Sequence, residues 1–191
     1  MNLASLDQGA LLGGDAALLY RRPGFLLRHC HQIAVAIFVE SCRREKLTPG
    51  QFGSLFLIAC YPGIDQRTLA DRIGLDRSTT GAIVNRLAQR RLIRRHVRRG
   101  DRRSRALALS ALGRRLLADA RRSAGEAQRR LLSPLALAEQ TILLQLLTRL
   151  VVGHAAVSRA PFRPLLDAGL RPARKRRPDM RAQPALAGGT S

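Results

Sequence analysis

Two short helices joined by a tight glycine turn are written into residues 65–90, and that pairing limits what the chain can build. Asp65 stands before Gln66–Ile73, Gly74 ends that segment, and Asp76 stands before Arg77–Arg90. Aspartate favours the N-cap because its carboxylate accepts from the free N–H groups of a first turn, and glycine tolerates the left-handed backbone of a helix end. The spacing predicts a helix-turn-helix. On the second helix, a rotation of about 100° per residue puts Thr80, Ile83, Val84 and Leu87 on one side, to pack on Leu69, Ile73 and Leu75. The opposite side carries Ser78, Ala82, Asn85, Arg86 and Gln89, with Arg77 at the helix start.

The flanking elements follow from the same local signals. After Pro23, apolar residues from Phe25 to about Arg44 recur at helical spacing. Thr48 and Pro49 mark the start of a helix running from Gln51 to about Cys60, ended by Pro62 and Gly63. Leu92–Val97 and Arg105–Leu109 suit strands, with Arg98–Ser104 between them as a glycine-containing hairpin tip. Ser110 is placed to cap a helix reaching about Leu132, and Pro134 to open a last one containing Leu143, Leu144, Leu146, Leu147 and Leu150. With 46% apolar residues but only 4% aromatics, a mainly α chain is expected. Its fold would be a winged helix-turn-helix with a two-stranded β wing, flanked by N- and C-terminal helices.

Charge points to the partner. Lys and Arg number 34 against 13 Asp and Glu, a formal +21, so a polyanion is favoured. The polar face of the second helix fits a major groove, where Asn or Gln pairs with adenine and Arg with guanine. Arg102 and Arg103 at the hairpin tip are placed to enter a narrow minor groove. Asp101 would repel phosphate, and is expected instead to orient Arg94 or Arg103. A sequence-indifferent architectural nucleic-acid-binding protein remains open on charge alone, although few aromatics are present to stack single strands.

Enzyme chemistry lacks its parts: the chain has no P-loop, GxGxxG, HExxH or Gly-x-Ser-x-Gly motif. No cofactor is implied. His29 and His31 are two apart, so on a helix they point to different sides and form no metal pair. Cys30, Cys42 and Cys60 are odd in number and without CxxC spacing, which argues against a disulfide framework and a zinc ribbon. Met1–Tyr20 lacks the basic start of a signal peptide and no apolar run reaches membrane-span length, so a cytoplasmic protein with no membrane partner is expected.

The stretches Leu47–Phe52, Gln66–Ser78, Arg91–Arg95 and Gly100–Ser104, with an Asp-x-Arg element at Asp101 and Arg103, resemble the MarR family of bacterial regulators. The resemblance covers about Pro23 to Leu150. It implies a homodimer with interlocked terminal helices, acting on double-stranded DNA with an inverted-repeat operator, most often as a repressor. Carried over, Arg77, Ser78, Thr79, Asn85 and Arg86 would touch the major groove and Arg103 the minor groove; Gln89, Arg94 and Arg102 complete the expected DNA-binding set. Thr80 stands where the family more often has an aliphatic residue, so a local packing cost is expected. Pro23–Ile33 is similar to a branch that senses aromatic acids or their coenzyme A thioesters. On that likeness Arg28 and His31 would meet a carboxylate or phosphate, while Val35, Phe38, Phe52 and Phe56 line an apolar pocket. Some members respond instead through a cysteine in the first helix, where Cys30 lies, so thiol-based redox sensing is the alternative.

The expected division is an N-terminal arm at 1–22, a core domain at 23–158 and a basic, disordered tail at 159–191. Within the core domain, 23–46 and 111–158 form the dimerisation helices and 48–110 the DNA-binding lobe.

Overall fold

The computed structural model describes residues 16–98, 101–155 and 157. A single turn, α1 (Ala16–Leu19), precedes α2 (Pro23–Ser41), α3 (Pro49–Cys60), β1 (Ile64–Asp65), α4 (Gln66–Ile73) and α5 (Arg77–Gln89). The hairpin β2 (Ile93–Arg98) and β3 (Asp101–Leu109) follows, then α6 (Ala111–Leu132) and α7 (Leu137–Gly153). Most of the arm and the tail lie outside the described residues. The expected mainly α, winged helix-turn-helix architecture is the one observed.

Short-range capping sets most of the helix starts. Thr48 and Gln51 form a reciprocal box, with Thr48 Oγ1 accepting from the Gln51 N–H and Gln51 Oε1 from the Thr48 N–H. Ser110 Oγ accepts from the Gly113 N–H at 3.0 Å and donates to the Arg91 carbonyl at 2.7 Å, tying α6 to the end of α5. Gly74 closes α4 at φ 71°, the left-handed region.

Three boundaries differ from the sequence expectation. The wing is part of a three-stranded antiparallel sheet, order β1-β3-β2, because Ile64 and Asp65 pair with Leu107 and Ala106. β3 begins at Asp101, so the hairpin tip is shorter than Arg98–Ser104: Arg98 pairs with Asp101 across a register shift after Val97. Backbone pairing does not require β-favouring side chains, and Arg98 and Arg105 both take part in the ladder. The last helix opens at Leu137 and not at Pro134, with Glu139 reaching back to accept from the Ala136 N–H at 2.8 Å. Ala136 has no polar side chain, so the usual N-cap residue is missing from this start and Glu139 alone marks it.

One core fills the lobe beneath α5, built from Leu55, Ile58, Leu69, Val84, Leu87, Leu107 and their neighbours. A smaller cluster of Phe38, Cys42, Ala124 and Ala127 joins α2 to α6. In contrast, α7 buries none of its residues, and Leu137, Ile142, Leu144, Leu146 and Leu150 lie exposed on it. No single helix among the described residues is long and apolar enough to cross a membrane.

Candidate nucleic-acid interface

The second helix of the motif, α5, is fixed at both ends. At its start Asp76 accepts from the Thr79 N–H at 2.8 Å and from the Thr79 hydroxyl at 2.6 Å. Those two bonds hold the Asp76 carboxyl below its ordinary range. Asp65 caps α4 in the same way through Thr68. Burial pushes the Asp65 carboxyl up, but the Thr68 and Arg67 bonds outweigh it and the net shift is downward.

At its far end the helix closes on Arg91 in the left-handed region, φ 56°, with the Arg91 N–H donating to Ala88 and the Leu92 N–H to Leu87. Arg90 reaches across to the segment between α2 and α3, donating to the carbonyls of Lys46 at 2.8 Å and Glu45 at 2.9 Å. Sequence reasoning missed this contact, since its partners lie more than forty residues away.

Between the ends, Thr80, Val84 and Leu87 are fully buried, as the helical phase predicts. The Thr80 hydroxyl donates to the Asp76 carbonyl at 2.9 Å, so its polar atom is satisfied inside the core and the expected packing cost has no unpaired group behind it. Arg77, Ser78, Thr79, Ala82, Asn85, Arg86 and Gln89 are all exposed on the opposite side. Arg94 is exposed on β2. Arg95, which the sequence did not single out, donates to Asn85 Oδ1. The backbone of Asp101, Arg102 and Arg103 forms the start of β3; their side chains lie outside what is described.

The six residues expected to form a ligand pocket separate into two groups. Phe38, Phe52 and Phe56 make a row, with ring centroids 5.6 and 6.1 Å apart, and Arg121 of α6 lies 5.1 Å over Phe56. Val35 is half-buried on α2. Arg28 is engaged elsewhere, stacked 5.0 Å over Phe25 and bonded to His29 and Gln32, and His31 is exposed beside it. None of the six lines the cleft of about 850 Å³ between the end of α2 and α6, whose walls include Arg44, Glu45, Arg122 and Ser123. Cys30 is exposed, and burial together with the nearby Glu45 charge pushes the Cys42 thiol up.

Residues 46–104 match the family model for the MarR family. Over 150 residues the chain is 32% identical to a putative transcriptional regulatory protein for the hcr operon of Thauera aromatica, spanning 78% of this chain and 86% of the relative. The chain belongs to the MarR family. Solved MarR-type structures share its fold. The PcaV transcriptional regulator of Streptomyces coelicolor, in complex with its natural ligand, is 32% identical with a TM-score of 0.64, covering 72% of this chain and 96% of its own. The transcriptional repressor CouR, bound to a 23-mer DNA duplex, is 29% identical with a TM-score of 0.66, covering 70% and 94%. The protein is thus a MarR-type transcriptional regulator.

Proposed function

We propose that this regulator is a sequence-specific repressor which binds an inverted-repeat operator as a homodimer and releases it on binding an aromatic acid or its coenzyme A thioester. The observation that carries the DNA reading is the face of α5. Small, amide and arginine side chains stand exposed there, on a helix capped at its start and clamped at its end, beside a basic hairpin. Such a face enters a major groove with its N-terminal turns against base edges, and the hairpin lies over the adjacent minor groove. Arg77, Ser78, Thr79, Asn85, Arg86 and Gln89 belong to the first contact, Arg94, Arg102 and Arg103 to the second, with Asp101 orienting its neighbours.

Dimerisation is supported by α7, whose exposed leucines would each gain about 1.5–3 kcal/mol from full burial against a second copy. The effector reading is supported by the row that runs from buried Phe38 through Phe52 to exposed Phe56, where Arg121 lies over the ring, an apolar wall ending beside a cation that suits the ring and carboxylate of an aromatic acid. Arg28, His31 and Val35, on the same helix as Phe38, complete the proposed ligand set.

Selection from random duplexes with the full chain tests this. The expected product is a two-fold symmetric site bound at least about a thousandfold tighter than random DNA. Arg103→Ala should weaken operator binding while leaving the melting temperature unchanged, and unaltered affinity would remove Arg103 from the interface. Benzoate, 4-hydroxybenzoate and their coenzyme A thioesters should release the operator. Release by peroxide alone would favour Cys30 chemistry instead.

A further inference from the structure

We propose that Arg95 sets what Asn85 reads: by holding the amide oxygen it turns Asn85 into a hydrogen-bond donor towards the duplex, selective for bases with a keto edge. The inference rests on the DNA-reading role of α5 proposed above and adds to it a residue and a polarity.

Asn85 lies on the exposed side of α5 and Arg95 on β2, ten residues further along. Alternation along the strand puts Arg95 on the same side as Ile93, which is buried in the core that also holds Leu87 of α5, while Arg94 and His96 take the other side. The Arg95 side chain therefore emerges beside the helix, and its Nη2 donates to Asn85 Oδ1 at 2.5 Å. A guanidinium carries donors only, so it faces the oxygen end of an amide and not the NH2 end. That bond removes the two-fold ambiguity of a free asparagine amide and leaves the NH2 to the groove. Because one partner is charged, the bond is about twice as strong as a neutral one.

An asparagine free at both ends pairs with adenine, accepting from N6 and donating to N7. One whose oxygen is held offers N–H donors, and the major-groove acceptors that match them are guanine O6 and N7, thymine O4 and adenine N7. Adenine N6 and cytosine N4 present donors at the corresponding place. The held amide keeps one bond to adenine N7 but gives up the pairing with N6, so the keto bases are favoured over adenine and cytosine, against the adenine preference expected from asparagine alone. Arg95 acts through Asn85 and is a positioning residue.

The test uses the full-length protein and a duplex in which one half-site position, the one whose preference changes in Asn85→Ala, is varied through all four bases. The wild type should prefer guanine or thymine there by about tenfold. Arg95→Ala should lose that preference or pass it to adenine, with an unchanged melting temperature, and Arg95→Lys should restore it by supplying another cationic donor. Asn85→Ala combined with Arg95→Ala should discriminate no worse than Asn85→Ala alone. A wild type that prefers adenine at this position overturns the proposal. So does an Arg95→Ala variant that loses affinity equally for all four bases with a salt slope lower by about one phosphate, the behaviour of a simple backbone contact. A wild type with no sequence preference anywhere would defeat the DNA-reading role itself; a selective wild type whose preference survives Arg95→Ala defeats only this inference.

Discussion

Gly113 sits in the first turn of α6 where no side chain fits: a Cβ there would lie 2.0 Å from the Leu92 carbonyl oxygen. Alanine normally favours a helix over glycine by about 1 kcal/mol. Here the sign inverts, and Gly113→Ala should destabilise by about 3 kcal/mol, read as a shift in the denaturant midpoint. An increase in stability would show that α6 does not press on Leu92. Nothing in the sequence around Gly113 announces this contact, since the atom it must clear belongs to a residue packed against it only in the folded chain. Thr80 is the converse. Helical phase alone placed it in the core, and its hydroxyl found the Asp76 carbonyl one turn back, a partner within reach of local reasoning. Contacts such as Arg95 to Asn85 and Arg90 to Glu45 needed the tertiary fold before they were visible.

At the scale of elements, the helix-turn-helix was legible because its punctuation is local: Asp65, Gly74 and Asp76 act on residues within one turn. Strand β1 was not, since two residues carry no periodicity and are defined only by the edge they join. The end of α5 holds an opportunity. Arg91 adopts a left-handed backbone that costs a residue with a Cβ about 1 kcal/mol, so Arg91→Gly should raise the melting temperature in a thermal melt. The caps also predict the response to acid. Asp65 and Asp76 have folded pKa values below their ordinary one of 3.8, so they favour the folded state fully above that pH. Their contribution disappears as pH falls through the lower folded values. Thermal melts between about pH 7 and pH 2.5 should show Asp76→Asn, which keeps an N-cap but does not titrate, losing less stability than the wild type at the acid end. An identical acid loss in both would exclude Asp76 from it.

At the scale of the molecule, two surfaces among the described residues stand without partners in a single copy: the basic lobe, within a chain of net charge +21, and the leucine-rich α7. In the proposed dimer, paired copies would place two reading helices on one duplex, and binding with both would multiply affinity well beyond either alone. Leu144→Glu with Leu150→Glu should therefore halve the mass by light scattering and weaken operator binding by about a hundredfold or more. A variant that stays dimeric would move the interface away from α7. The composition of α7 was evident from the chain, whereas its lack of any buried residue needed coordinates.

The two bonds from Arg90 to the carbonyls of Glu45 and Lys46 mean that α5 is not an interchangeable cassette. A helix transplanted from another regulator to redirect this one to a new operator would arrive unmoored at its far end unless an arginine came with it at that position. Its base contacts would be correct in kind and wrong in angle.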